Sequence, residues 1–192
     1  MDYKHLLFIA LISLVACCTI MALVWLWAKK IKNAGVVDVF WALNFPVITL
    51  ITFFLADGFL TRNILICSIF LLAELRLGIH LWQRVIGHLD EEEGRYQQLR
   101  SEWGDKADRN FFWFFQFQAI SNVLLAVPFF IITANTSTQI SVLEYIGLAI
   151  WAIAFIGEMV ADRQLAAFKK DPKNKGKVCD TGLWYYSGER LS

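Results

Sequence analysis

His5-Leu-Leu-Phe-Ile-Ala-Leu-Ile-Ser-Leu-Val-Ala-Cys-Cys-Thr-Ile-Met-Ala-Leu-Val-Trp-Leu-Trp-Ala28 runs for 24 residues without a lysine, arginine or carboxylate. A helix rises 1.5 Å per residue, so about 20 apolar residues cross a hydrocarbon core of about 30 Å. The stretch is too long for the core of a signal peptide, and it ends in Trp25, Trp27, Lys29 and Lys30 rather than in a cleavage site. It is read as an uncleaved first membrane helix. Four further segments follow the same pattern: Val36–Leu55, Ile64–Trp82, Phe111–Ala134 and Ile140–Ala161. None alternates with period two, and lipid offers no partner for an open backbone, so helices are expected rather than strands.

The whole chain is consistent with this. Of its 192 residues, 57% are hydrophobic and 18% charged, against about 25% charged in soluble domains. The net charge of +1 points to no partner class, and no nucleic-acid partner is expected. Cys17, Cys18, Cys67 and Cys179 have no paired spacing, so neither a disulfide framework nor a metal site is expected.

Basic residues alternate between the connections. The N-terminal tail has Lys4; the first loop has Lys29, Lys30 and Lys32; the second has Arg62 alone. The third carries Arg84, Arg95, Arg100, Lys106 and Arg109, and the fourth, 135–139, carries none. The tail holds Arg163, Lys169, Lys170, Lys173, Lys175, Lys177 and Arg190. The positive-inside rule then puts the N-terminus outside and the C-terminus in the cytoplasm, as five spans require. The expected fold is all-α: one polytopic membrane domain over residues 1–192, with about five transmembrane helices. The acidic run from Asp90 to Glu93 lacks calcium-loop spacing and reads as a solvated helix start. Residues 101–109 read as an amphiphilic loop.

Charges within membrane helices are costly and call for a partner or a purpose. They are Asp38 in the second span, Glu74, Arg76 and His80 in the third, and Glu158 and Asp162 in the fifth. Glu144, near an outer end, is expected to reach water. Arg76, His80 and Gln83 fall on one helical face, whereas Glu74 lies about 200° from Arg76. Glu158 and Asp162 share a face and repel unless a cation, proton or ligand intervenes. One reading is a polar cavity opening to the cytoplasm. The other is that Arg76 and Arg84 snorkel to headgroups while Glu74 pairs locally. The tail's lysines fit either an anionic lipid surface or a phosphate-bearing cofactor. No GxGxxG or GxxxxGK[ST] motif is present, so a nucleotide needs a membrane-type site.

The order of short motifs resembles the bacterial membrane proteins related to steroid 5-alpha-reductases and sterol reductases. The matching pieces are Val37-Asp-Val-Phe-Trp-Ala-Leu-Asn44, Arg76-Leu-Gly-Ile-His-Leu-Trp-Gln-Arg84 and Glu93-Gly-Arg-Tyr-Gln-Gln-Leu-Arg100 with Trp103-Gly104. Phe117-Gln118, Gly157-Glu-Met-Val-Ala-Asp162, Phe168, Asn174-Lys-Gly176 and Gly182-Leu-Trp-Tyr-Tyr-Ser187 complete them. The resemblance implies an NADPH-dependent reductase of the bacterial inner membrane. It would act on the carbon–carbon double bond of a steroid-like or other lipid-like enone arriving from the bilayer. It also implies that Asp162, Asn174, Lys177, Trp184 and Tyr185 hold the cofactor, and that Asp38, Glu74, Arg76 and His80 line the cavity or act in catalysis. Such a reaction needs a donor for the developing enolate and a positioned acid. Where the family continues with Arg-His-Pro-Asn-Tyr, this chain reads Gly188-Glu-Arg-Leu-Ser192. A truncated member, inactive by itself, is therefore expected. Two alternatives stay open: a membrane methyltransferase of the isoprenylcysteine type, using S-adenosylmethionine, or a non-enzymatic membrane fragment. Oligomeric state is left open.

Overall fold

The structure is a computed structural model that describes residues 3–87, 89, 92–174 and 176–186. Among the described residues there is no strand. The helices are α1 (Tyr3–Ile31), α2 (Val36–Leu55), α3 (Leu60–Ile86), α4 (Gly94–Trp103), α5 (Ala107–Leu125), α6 (Val127–Thr133) and α7 (Val142–Lys170). Five stretches are long and apolar enough to cross a membrane, with α4 to α6 counting as one. This is the architecture of a multi-pass integral membrane protein. The chain divides into two compact units, Met1–Thr138 and Gln139–Ser192.

In the first unit α1 buries a single stripe, Ile9, Ser13, Cys17, Met21, Val24 and Ala28. Steps of three and four keep these residues on one face. The facing helix α5 buries Ala107, Phe111, Phe115, Ala119, Asn122 and Val123 at the same spacing. Small residues on both stripes let the two backbones approach, as membrane packing requires. The opposite face of α1 exposes Leu7, Leu11, Val15, Leu23 and Leu26. In water such a surface would aggregate, but against lipid it is ordinary. Half of α2 is buried, and the helix packs on α1, α3 and α5. On α3, Cys67, Gly78 and Val85 are buried, and a Cβ on Gly78 would lie 2.6 Å from Leu43 Cδ2. That seam is the inner face of α3.

Several expected boundaries shift for identifiable reasons. Pro128 has no N–H and its ring collides with the carbonyl four residues back, so the fourth span breaks at Ala126 into α5 and α6. Residues 101–109 are helical rather than an amphiphilic loop: α4 ends at Trp103, a 3-10 turn covers Gly104–Lys106, and α5 begins at Ala107. Arg163, Lys169 and Lys170 belong to α7 rather than to a tail. Glu144 is not merely a solvated outer charge. It closes a capping box in which its side chain accepts from Ser141 N at 2.7 Å and Ser141 Oγ accepts from Glu144 N at 3.3 Å.

Arg62 is the largest departure. It was expected in a loop, but α3 begins at Leu60 and Arg62 is 1% exposed. Its guanidinium donates to Asn135 O at 3.1 Å and Ser137 O at 2.7 Å. Phe59 N donates to Asn135 O at 3.0 Å in the same clasp. The cation thus ties the segment after α6 to the start of α3. The expectations at Asp90, Glu91, Lys175, Arg190 and Gly188–Ser192 fall outside the described residues.

Candidate functional site

At one end of the first unit, charged residues from α2, α3 and α4 converge on Asp38. Asp38 lies in the first turn of α2, where a carboxylate favours the helix dipole. Tyr96 OH donates to Asp38 Oδ1 at 2.8 Å, and Tyr96 is fully buried. Arg95 donates to the same phenolic oxygen and lies 3.6 Å from Asp38 Oδ1. Arg84 reaches Asp38 at 3.7 Å and Glu93 at 2.9 Å.

A second pair fixes the loop between α1 and α2. Glu92 accepts from Arg100 Nε at 2.9 Å and Nη2 at 2.8 Å, and also from Ala34 N at 2.7 Å. Burial raises the carboxyl's pKa, but the Arg100 hydrogen bonds, the Ala34 amide and the Arg100 charge outweigh burial, so the net direction is downward. Asn33 Nδ2 donates to Leu89 O at 3.1 Å, tying the same loop to the approach to α4. Next to these groups is an open hollow of about 350 Å³ lined by Asn33, Gly35, Arg84, Glu92 and Glu93 among others.

The other expected catalytic residues stand on α3. Arg76, His80 and Arg84 follow at steps of four, so His80 lies about 6 Å and Arg76 about 12 Å along the axis from the arginine that meets Asp38. Arg76 is half-buried and His80 exposed. Glu74 shares the face of Gly78 and Val85, about 15 Å along the axis from Arg84, and is half-buried. Its separation from the Arg76 face is as expected from helical geometry.

All five expected cofactor residues fall in the second unit. After α7 the chain turns back on itself as a hook. Asn174 Nδ2 donates to Phe168 O at 3.0 Å, and Lys177 N donates to Asn174 O at 2.9 Å. Leu183 N donates to Gln164 Oε1 at 2.8 Å and Trp184 Nε1 to Ala161 O at 2.9 Å. Trp184 thereby comes beside the position of Asp162, which is half-buried. Asn174 and Lys177 line a hollow of about 420 Å³ with Lys169, Lys170 and Asp171. Tyr185 lines another, of about 470 Å³, with Gln164 and Tyr186.

Residues 24–189 match the family described as "Protein of unknown function (DUF1295)". The chain belongs to this family. No curated protein and no solved structure matches it.

The DUF1295 match covers both the Asp38 cluster and the hook. Sequence reasoning overlooked several partners in this DUF1295 chain. Tyr96, Glu92 and Arg100 sit in a stretch of soluble-like composition, and no periodicity marks them as inward-facing. Nor did Asn44 and Asn122 stand out as a pair. Asn44 Nδ2 donates to Asn122 Oδ1 at 2.9 Å, Asn122 Nδ2 to Trp41 O at 2.9 Å, and Trp41 Nε1 to Ser121 Oγ at 3.0 Å. Polar residues at stripe positions of two apolar helices were the available signal.

Proposed function

We propose that this protein is a membrane-embedded, NADPH-dependent reductase of a carbon–carbon double bond in a steroid-like or other lipid-like enone. The supporting observation is the basic hollow at the end of α7, where Asn174 and Lys177 meet Lys169 and Lys170. Its lining suits a phosphate-rich cofactor. Membership of DUF1295, a family of the steroid 5-alpha-reductase-like group, points the same way. Five apolar helices suit a substrate delivered from the bilayer.

When bound, NADPH would supply the hydride. Lys177 is exposed and available to a phosphate. The Asn174 amide and the Trp184 indole already donate to backbone carbonyls, so their part is to hold the hook's shape. Exposed Tyr185 offers a ring for stacking, and Asp162 stands beside Trp184. In this reading Arg76 and His80, on one stripe of α3, would be the donors that orient and polarise a carbonyl. Asp38 is held by Tyr96 and two arginines, and it positions that end of α3 through Arg84. Glu74, half-buried on the Gly78 face of α3, would line the substrate cavity in this reading. In this reading the N-terminus is outside and the hook lies on the cytoplasmic side of a bacterial inner membrane.

Titration of the purified chain with NADPH and, separately, S-adenosylmethionine tests this. NADPH binding that weakens in K177Q supports the proposal. Binding of S-adenosylmethionine alone would move the protein to the methyltransferases, and binding of neither would remove both enzyme readings.

A further inference from the structure

The hook after α7 places aromatic and basic groups at two different depths. From Val142 to Ala161 is a rise of about 30 Å, the thickness of the hydrocarbon core. Ala161 is therefore at the boundary between acyl chains and headgroups. The hook returns to that level, because Trp184 bonds Ala161 O and Leu183 bonds Gln164. Tyr185 and Tyr186 are 71% and 83% exposed there, with Leu183 beside them. Lys169 and Lys170 end the helix about 12–14 Å further out, followed by Lys173 in a 3-10 turn. All three lysines are exposed. Residues 169–186 carry five lysines against Asp171 and Asp180.

We propose that this hook is an interfacial lipid clamp that selects anionic phospholipids, with Lys169, Lys170 and Lys173 on the headgroup phosphate and Leu183, Tyr185 and Tyr186 in the boundary beneath it. Tyrosines favour that depth because their rings are apolar and their hydroxyls polar. Lysines near the phosphate plane attract an anionic leaflet. The headgroup layer is about 5–8 Å deep on each side, and lysine stems that reach back toward the membrane bring their ammonium groups into it. The clamp does not rest on the reductase reading, but it shares Lys169, Lys170 and Tyr185 with the hollows offered there to the cofactor, so competition with NADPH separates the two.

The test is native mass spectrometry of the full chain in neutral detergent, titrated with phosphatidylglycerol or phosphatidylcholine. Phosphatidylglycerol should be retained and phosphatidylcholine not. Each lysine neutralised in K169Q/K170Q/K173Q should weaken retention about fivefold, and K169R/K170R/K173R should keep it. Amide exchange over residues 182–186 should slow in nanodiscs containing phosphatidylglycerol, and Y185S/Y186S should lose the slowing. Equal retention of both lipids, or an unchanged Gln variant, would overturn the clamp. Displacement by inorganic phosphate would make the basic tier a free-anion site, and displacement by NADPH would return it to the cofactor; either result overturns the lipid assignment. If the Gln variant does not purify, the unmodified chain decides: retention that ignores ionic strength is incompatible with the proposal.

Discussion

Tyr96 and Asp38 are separated by 58 residues and joined by a 2.8 Å hydrogen bond from phenol to carboxylate. The bond draws α4, a polar helix, onto the first turn of α2, an apolar one. Arg95 and Arg84 then surround the same carboxylate from two other positions. Tyr96→Phe keeps the ring and removes the donor. It should lower stability by about 1.5–3 kcal/mol, the range for a hydrogen bond to a charged group. Thermal unfolding in detergent measures this. In a double-mutant cycle Tyr96→Phe and Asp38→Asn should be non-additive, and additive losses would show that the two groups act independently.

The Glu92 carboxylate gives stability a dependence on pH. Its pKa in the fold lies below the ordinary value because of Arg100 and the Ala34 amide. The contribution is therefore fully present above the unfolded value of about 4.3 and is lost as pH falls through the lower, folded value. Glu92→Gln should remove that acid-sensitive part and cost about 1–2 kcal/mol near neutral pH. Unfolding midpoints measured from pH 3 to 7 would reveal it as a flatter curve for the variant.

Gly58 sits against the end of α6. A Cβ there would lie 1.9 Å from Thr133 O, a backbone atom that cannot swing away. Gly58→Ala should force the α2–α3 turn off α6 and sharply reduce the yield of monodisperse protein. Gly94→Ala is the matched control, since nothing lies within 4 Å of its Cβ position. Comparable yields for the two variants would contradict this packing.

Arg62 can be probed by shape and charge separately. Arg62→Met keeps length and removes the buried guanidinium that donates to the Asn135 and Ser137 carbonyls. A loss of about 1–3 kcal/mol is expected. Arg62→Lys restores the charge but on a more flexible stem without the planar guanidinium whose Nη1 donates to both carbonyls, so it should recover only part. Unfolding in a denaturing detergent series ranks the three proteins.

The helices were legible because membrane crossing is a demand on composition and length, and 24 uncharged residues from His5 meet it without help from any neighbour. The break at Pro128 and the capping box at Ser141 were equally local, though they needed attention to single residues. What stayed hidden depends on pairing over long separations. Tyr96 looks like a residue of a solvated helix until Asp38 is placed beside it. Arg62 counts as an outer-loop charge until the end of α6 arrives to accept it. Helical spacing correctly placed Glu74 off the Arg76 face, because that follows from one helix. Which residues Asp38 would meet does not.

The bond between Asn44 and Asn122 spans 78 residues. A ribosome adds about 5–20 residues per second, so Asn44 emerges roughly 4–16 s before its partner exists. During that interval an amide buried in the finished protein has nothing of its own chain to bond. It must wait at the edge of the insertion machinery, keep a water, or borrow a partner. The hairpin of α1 and α2 therefore gains this hydrogen bond only once α5 has been made.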